Sequence, residues 1–576
     1  MSATADRLFE SPGWCWTHSG DTGWWVRPDW RDVLLDQGEL RLDEWRAAGR
    51  LTTVKTGPHR VVYRADLSEG SVYVKHFLVP DLRAKARQWF RRGKGRNEGR
   101  RSRNLAAIGV PTITPIALGE QRKRRFLLEN YLITPAIPDT VPLDEFVERT
   151  LPKMAANREA RLRKLLAISL AELTAHLHNA GFLHQDFHPG NLLVRLDDED
   201  RPHLSLIDLD ALRKVRKVGW KAARMNLALL NHYFWLRCGR SDRFRFLTSY
   251  LIARKAVLPD AQGFAEAIER DTRSWAERLW RRWGKRCRST NKYFKRFHAP
   301  NSWAIASREI DRGLVRTLMA DPIAPFSAPD AVLLKDSRTT TVAELTMIVK
   351  GKPAKVIYKR FKPKKTLEWL LNLLRPTRAW RAWQAAQHLV SRGIPTPKNL
   401  AIIERTASFP PIPLETFLLT LKADPSITLQ DYSFVELPKL SVKDRVTAVR
   451  NLTKALAKLL RVLHERSISD RDLKSANILV ESDPTAGEPI LSLIDLVGVQ
   501  LLHPIPDHRR FQNLARLQTS LADVTGRTRT DSLRFLRAYF PWGLSPRNDW
   551  KRLWRKVARL CDKKRERNLK RGRRLS

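Results

Sequence analysis

A long internal repeat constrains this chain more than any other feature of its sequence. The segment LHNAGFLHQDFHPGNLLV, which begins at Leu177, has a counterpart of equal length, LHERSISDRDLKSANILV, which begins at Leu463. A second shared segment, LSLIDL, ends at Leu209 in one copy and at Leu496 in the other. The two pairs of segments have almost the same spacing, and collinear matches of this kind predict two copies of one domain.

The repeat also extends upstream of these segments. VYVKHF contains Lys75 where VIYKRF contains Lys359, and a Gly-Val-Pro-Thr step at Gly109 matches Gly-Ile-Pro-Thr at Gly393. The period is far longer than that of a solenoid, so the copies are expected to be tandem domains.

The domain boundaries follow from the extent of the repeat. We predict one domain over 1–288 and a second over 329–576, which ends in a basic tail. Residues 289–328 contain several prolines and are predicted to form a linker, because proline disfavours continuous helix and strand.

Composition and charge exclude several classes of protein and indicate the surroundings that this chain favours. The 576 residues include 106 Lys and Arg against 60 Asp and Glu, which gives a formal net charge of +46 and favours polyanionic surroundings. The four cysteines form no Cys-x-x-Cys pair, which argues against a disulfide framework and against a structural zinc site. The sequence shows no secretory signal and no apolar stretch of the ~20 residues that a spanning helix requires. We therefore expect a cytoplasmic chain, either soluble or attached peripherally to a membrane.

Secondary-structure patterns are the same in both copies. Val72–Phe77 and Val356–Phe361 are rich in β-branched and aromatic residues, as strands are. From Arg161 to His178 and from Arg445 to His464, leucines and alanines recur at helical spacing without an internal Pro or Gly. Each copy is therefore predicted to be an α+β domain of two lobes, with strands first and helices after them.

One set of polar residues is present in both copies. It consists of a strand Lys, an Asp, an Asn five residues later and a further Asp after an apolar run: Lys75, Asp186, Asn191 and Asp208 in the first copy, and Lys359, Asp472, Asn477 and Asp495 in the second. Phosphoryl transfer from a nucleotide requires such a set. Lys neutralises phosphate oxygens, Asn and one Asp supply oxygen ligands to Mg²⁺ or Mn²⁺, and the other Asp orients the acceptor hydroxyl and takes its proton.

These residues resemble the motifs of the protein-kinase-like superfamily. The segments His184–Asn191 and Asp470–Asn477 look like its catalytic loop, and Asp208 and Asp495 lie where its members keep a metal-binding Asp. The resemblance covers most of both repeats and implies two tandem bilobal domains, each with a β-rich N-lobe and a helical C-lobe. The Asp-x4-Asn pattern is weak evidence by itself, but its duplication together with the Lys and the later Asp makes it specific.

The two copies differ in the residue expected to pair with the strand Lys. Kinase domains pair this Lys with a helix Glu, and Glu98 occupies that position in the first copy. The aligned residue of the second copy is Ala382, so its Glu is missing unless Glu368 or another residue substitutes. We expect the first copy to be complete, and the second either to turn over slowly or only to bind nucleotide.

Two further positions qualify the resemblance. His184 of the first copy is replaced by Asp470 in the second, and Lys474 lies where protein kinases keep a phosphate-contacting Lys. The glycine-rich loop that covers the phosphates is absent from both copies: Gly57 is the only glycine near Lys55–Arg60. No nucleotide contact is assigned to this loop.

The residues that follow Asp208 and Asp495 indicate which kind of acceptor to expect. Neither copy contains an Ala-Pro-Glu motif there, so a peptide-docking platform is not expected. The overall resemblance is to the lipopolysaccharide core kinase family, which includes Kdo and heptose kinases. It implies an enzyme that uses ATP and Mg²⁺ to phosphorylate a sugar hydroxyl at the cytoplasmic face of the inner membrane.

The charge and the resemblance together define the expected partners. They are ATP, a lipopolysaccharide or related glycolipid acceptor, and an anionic membrane surface, where each nearby Lys or Arg contributes about 1 kcal/mol. Nucleic acid is disfavoured and the oligomeric state is left open. Two alternatives remain, an atypical Ser/Thr protein kinase and a scaffold of inactive copies bound to anionic membrane or nucleic acid.

Overall fold

The chain divides into two compact units, Met1–Ala276 and Glu277–Ser576. The computed structural model describes residues 13–57, 59–78, 93–123, 126–363, 375–408, 412–540 and 550–570. Within these ranges no helix has both the length and the apolar character needed to cross a membrane.

Unit 1 begins with strands and continues with helices. Its strands are β1 (Cys15–Ser19), β2 (Thr22–Val26), β3 (Leu35–Asp36), β4 (Glu39–Leu40), β5 (Leu51–Gly57), β6 (Arg60–Leu67), β7 (Gly70–Leu78), β8 (Ala117–Lys123), β9 (Phe126–Pro135), β10 (Val141–Pro142), β11 (Phe182–His184), β12 (Leu192–Leu196), β13 (Pro202–Leu206) and β14 (Leu212–Lys214). Its α-helices are α1 (Arg31–Leu34), α2 (Leu42–Ala47), α3 (Lys94–Ala107), α4 (Leu143–Glu145), α5 (Ala156–Asn179), α6 (Trp220–Trp235), α7 (Arg240–Ala253) and α8 (Ala261–Arg286), the last of which extends past the division.

Unit 2 repeats this order of elements, except that between its second and third sheet strands the described residues form one α-helix where unit 1 has α1, α2, β3 and β4. Its strands are β15 (Phe294–Ala299), β16 (Ser302–Ser307), β17 (Val332–Ser337), β18 (Thr340–Val349), β19 (Lys352–Phe361), β20 (Asn399–Thr406), β21 (Pro413–Leu421), β22 (Ile427–Thr428), β23 (Ile468–Asp470), β24 (Ile478–Val480), β25 (Leu491–Leu493) and β26 (Val499–Leu501). Its α-helices are α9 (Arg312–Ala320), α10 (Arg378–Ser391), α11 (Leu429–Asp431), α12 (Val442–Glu465), α13 (Asp507–Ser520), α14 (Arg529–Tyr539) and α15 (Trp550–Lys570).

Each unit contains a seven-stranded sheet with the same topology. The strand order is β1-β2-β8-β9-β7-β6-β5 in unit 1 and β15-β16-β20-β21-β19-β18-β17 in unit 2. In β7, Val72 and Val74 are fully buried, and Lys75 follows them on the opposite face of the strand. The predicted α+β plan, a sheet lobe followed by a helical lobe in each copy, is confirmed.

The predicted linker over 289–328 needs correction. Strands β15 and β16 pair with each other, and β16 also pairs with β20, so this segment belongs to the sheet of unit 2. Helix α9 follows, and the Asp311 carboxylate caps it by accepting from the backbone N–H of Gly313 and Leu314 at 2.7 and 3.2 Å. Pro300 lies in the turn between the two strands, where proline signals a hairpin connection instead of a domain linker.

The long helix of each unit contains a buried histidine held by a tyrosine. In α5, His178 Nδ1 lies 2.7 Å from the Tyr250 hydroxyl and its Nε2 lies 3.1 Å from Asn226 Oδ1. In α12, His464 Nδ1 lies 2.8 Å from the Tyr539 hydroxyl. Burial lowers the pKa of both imidazoles, to about 4 for His178 and about 3 for His464, so both are neutral at physiological pH.

This duplicated contact makes a prediction for stability. Tyr250→Phe is expected to lower the unfolding free energy of unit 1 by about 1–3 kcal/mol, because it leaves a buried imidazole nitrogen without its hydroxyl partner. Tyr539→Phe is the matched change in unit 2. Hydrogen exchange followed by mass spectrometry reports each unit through its own peptides. Each variant is expected to raise exchange in its own unit, and unchanged protection there contradicts the assignment.

Candidate active site

The strand lysine of unit 1 is held by a helix carboxylate. Lys75 on β7 forms an ion pair with Glu98 on α3, and both side chains are mostly buried. Helix α3 is placed for this contact because the backbone N–H of Gly95 donates to the Asn130 side chain at 2.9 Å. The pairing of Lys75 with Glu98 expected from the sequence is present.

The catalytic-loop residues of unit 1 lie together. The Asn191 side-chain N–H donates to the backbone carbonyl of Asp186 at 2.9 Å, which closes the loop between β11 and β12. The Asp186 carboxylate is 71% exposed and lies 3.6 Å from His188 Nε2. Asp208 follows β13 with a left-handed backbone, φ 56° and ψ 63°, which turns the chain directly after the strand.

Arg60, at the start of β6, contacts this site and was not predicted from the sequence. Both terminal nitrogens of its guanidinium lie 3.2 Å from the two Asp208 oxygens. Burial opposes ionisation of Asp208, but Arg60 and Lys75 overcome it and hold the pKa of that carboxyl below its usual value. Asp208 is therefore ionised at neutral pH. The sequence feature that points to Arg60 is the presence of an Arg in the hairpin at the place of the glycine-rich loop.

In unit 2 the strand lysine has a different partner. Lys359 Nζ lies 2.9 Å from Asp495 Oδ1. Ala382, at the position equivalent to Glu98, is buried and offers no carboxylate; Glu368, the suggested substitute, lies outside the described residues. Burial would raise the pKa of Asp495, but Lys359 lowers it below its usual value.

The rest of the second set lies beside this pair. The Asn477 side-chain N–H donates to the backbone carbonyl of Asp472 at 2.9 Å, as Asn191 does in unit 1. Lys474 Nζ lies 3.5 Å from Asp472 Oδ2. Lys359, Asp472, Lys474 and Asp495 line one cavity of about 620 Å³.

His184 in unit 1 and Asp470 in unit 2 occupy equivalent positions, and each accepts a hydrogen bond from the backbone of its catalytic loop. The backbone N–H of Asp186 donates to His184 Nδ1 at 3.3 Å, and that of Asp472 donates to Asp470 Oδ1 at 2.9 Å. Burial lowers the pKa of His184 to about 4, while burial raises the pKa of Asp470 to about 6. The exchange seen in the sequence therefore keeps an acceptor for the loop backbone and changes only its protonation chemistry.

Parts of this chain are similar in sequence to known proteins. The profile of the lipopolysaccharide kinase (Kdo/WaaP) family matches residues 60–250 and 334–539. A relative from Pseudomonas aeruginosa, the lipopolysaccharide core heptose(I) kinase WaaP, is 31% identical over 161 residues, which are 27% of this chain and 57% of the relative. This chain therefore spans little more than half of that relative's length.

Two solved structures are similar to parts of this chain. One is described as WaaP in complex with acyl carrier protein, at 21% identity and a TM-score of 0.32, and it covers 44% of this chain and 98% of that one. The other is the Toxoplasma gondii rhoptry antigen kinase domain, at 14% identity and a TM-score of 0.25, which covers 38% of this chain and 74% of that one.

The raised pKa of Asp470 predicts a pH dependence of stability. Between pH 3.8, its ordinary pKa, and about 6, folded Asp470 keeps a proton that the unfolded chain has released. The free energy of unfolding therefore falls as pH rises through this window. Asp470→Asn removes the titration and keeps an oxygen acceptor, so the variant should be more stable than wild type at pH 7.5, with less advantage at pH 4.5. Urea unfolding at the two pH values measures the difference in free energy of unfolding between the variant and wild type. The control is Asp523→Asn, at an exposed position. Parallel pH profiles for wild type and Asp470→Asn would contradict the expectation.

Proposed function

The chain belongs to the lipopolysaccharide kinase (Kdo/WaaP) family, and from this membership we propose that unit 1 transfers the γ-phosphoryl group of ATP to a sugar hydroxyl. The acceptor we propose is lipopolysaccharide core or a related glycolipid. The observation that carries the proposal is the convergence of the Lys75–Glu98 pair, the Asp186 loop and Asp208 within unit 1.

Each residue of unit 1 has a proposed role. Lys75, held by Glu98, binds the phosphate oxygens of ATP, since a fixed ammonium group stabilises the charge of the transferred phosphoryl. Asp186 is exposed enough to meet an acceptor, and it orients the hydroxyl and takes its proton.

The donor set of unit 1 fits a Mg²⁺ ion. Asp208 is ionised, and Asn191 uses its amide nitrogen on the Asp186 carbonyl, which keeps its amide oxygen for a cation. When bound, the ion neutralises charge on the phosphates. Asp208 must then exchange its contact with Arg60 for the cation.

The donor set of unit 2 fits a divalent cation less well. Asn477 has the same arrangement as Asn191, and Asp495 is engaged by Lys359 as Asp208 is by Arg60. Lys359, however, would lose its carboxylate on releasing Asp495, because Ala382 stands where Glu98 pairs with Lys75 in unit 1. Asp472 and Lys474 are proposed to face an acceptor or phosphate group in unit 2. Whether unit 2 turns over is decided by the variants below.

The proposed acceptor rests on the family, and the proposed location rests on the net charge of the chain. The P. aeruginosa relative is named for a heptose of lipopolysaccharide core, which supports a sugar acceptor for this chain. The net charge of +46 supports attachment to an anionic membrane surface, which we propose to be the cytoplasmic face of the inner membrane.

Asp186→Asn is expected to lower phosphoryl transfer by about 10²–10⁴-fold, because Asn cannot take the hydroxyl proton. The measurement is transfer of label from γ-labelled ATP with Mg²⁺ to a membrane glycolipid extract and, separately, to a protein acceptor. Asp472→Asn is the matched variant, and its loss of transfer would assign turnover to unit 2 as well. Label that enters only protein favours a protein kinase. Absence of both transfer and metal-dependent nucleotide binding in wild type contradicts an enzymatic role.

Glu98→Gln is expected to lower kcat/KM for ATP by about 10–100-fold, because a neutral amide holds the Lys75 ammonium more weakly than a carboxylate. Steady-state kinetics with varied ATP measures the change. Glu129→Gln serves as the control, because Glu129 lies in the same sheet and contacts His76 and Tyr131 instead of Lys75. Equal kinetics for Glu98→Gln and wild type would remove Glu98 from the proposed site.

A further inference from the structure

The cavity of unit 2 is strongly cationic. Its volume is about 620 Å³, and two carboxylates, Asp472 and Asp495, contribute to its lining. Six cationic side chains line it as well: Lys335, Lys359, Arg378, Arg381, Arg471 and Lys474. Both carboxylates are already engaged by lysines, Asp495 by Lys359 at 2.9 Å and Asp472 by Lys474 at 3.5 Å.

Several of these cations are absent from the equivalent positions of unit 1. The catalytic loops align at Asp186 and Asp472, so Arg471 replaces Gln185 and Lys474 replaces His188. On the helix beside the strand lysine, Arg381 replaces Asn97, next to the position where Ala382 replaces Glu98. The second cleft has therefore gained positive charge and lost a carboxylate on the same scaffold.

The basic C-terminal helix adds to this field. On α15, burial lowers the pKa of Lys564, Arg516 and Lys474 lower it further, and Asp472 opposes them. Lys564 therefore lies close enough to Arg516, Asp472 and Lys474 for their charges to interact. Through Lys564 this helix adds positive charge beside Asp472 and Lys474.

The geometry fixes part of this cationic lining in place. Arg378 donates to the backbone carbonyls of Lys362 and Thr339, and its guanidinium lies 5.5 Å from the Phe361 ring centroid. Lys359 lies 5.0 Å from the same ring. Such preorganised cations favour phosphate oxygens and oppose a divalent cation, which would have to displace Lys359 from Asp495 in a positive field.

We propose that the cleft of unit 2 binds an anion that carries clustered phosphate groups, and that it does so without a divalent metal ion. Two sources have this chemistry, the polyphosphate of a nucleotide and the headgroup of a phosphorylated sugar. The inference concerns binding in unit 2 alone and does not depend on the acceptor proposed for unit 1.

The test is calorimetric titration of the full chain in EDTA with inorganic tripolyphosphate, ATP or glucose 1,6-bisphosphate. The variant is Lys335→Ala combined with Arg471→Ala, both at exposed positions. The matched control is Lys55→Ala. Lys55 and Lys335 occupy equivalent positions in the two units. Lys55 pairs with Val62, which pairs with Lys75. In the same way Lys335 pairs with Val342, which pairs with Lys359.

Wild type is expected to bind tripolyphosphate in EDTA, and the double variant at least tenfold more weakly. The control is expected to keep the wild-type affinity within twofold, and an unchanged thermal midpoint shows that the double variant is folded. Tighter binding of ATP than of the other probes identifies a nucleotide source, and tighter binding of the sugar bisphosphate identifies a phosphorylated glycan. No binding in EDTA, equal binding by the double variant, or a tenfold gain with Mg²⁺ that the double variant loses overturns the proposal.

Discussion

The partner of the strand lysine determines the state of each cleft. Both strand lysines are mostly buried, and each is stabilised by a nearby carboxylate, because burial of an unpaired ammonium group is unfavourable. In unit 1 Glu98 supplies that carboxylate, and Asp208 is paired with Arg60. In unit 2 the helix offers Ala382, and Lys359 pairs with Asp495 instead. The difference between Glu98 and Ala382 on one helix therefore accompanies a different ion-pair partner for the Asp at the strand end, Arg60 in unit 1 and Lys359 in unit 2.

Most of the fold and the core of each site could be predicted because the chain contains its own comparison. Residues such as Asp186 and Asp472, which persist in both copies while their neighbours differ, mark positions that the chemistry constrains. The α+β order followed from strand and helix periodicities that occur twice. The Lys75–Glu98 contact was predicted because a single acid stands in a basic helix, at the place where a kinase lysine requires one.

The features that were missed depend on contacts far apart in sequence. The prolines of residues 289–328 favour a linker, whereas β16 pairs with β20, about a hundred residues later, and with β15, which places both strands in the sheet. Arg60 stands in the hairpin at the place of the glycine-rich loop, but its contact with Asp208 depends on the approach of β6 to a residue far along the chain. The cationic cleft of unit 2 likewise assembles residues from strands, a helix and a loop, and no short motif contains them.

The duplicated core explains why the two clefts could diverge in charge. His178 with Tyr250 and His464 with Tyr539 preserve the same buried contact, and changes there are costly since each group is fully enclosed. The cleft walls are partly exposed, so replacing Gln185 by Arg471 or His188 by Lys474 leaves the packing intact. A change of charge on a solvent-exposed cleft wall alters which ligands are attracted. It has a much smaller effect on the stability of the fold. A duplicated scaffold with the same strand order can therefore present clefts of different charge in its two units.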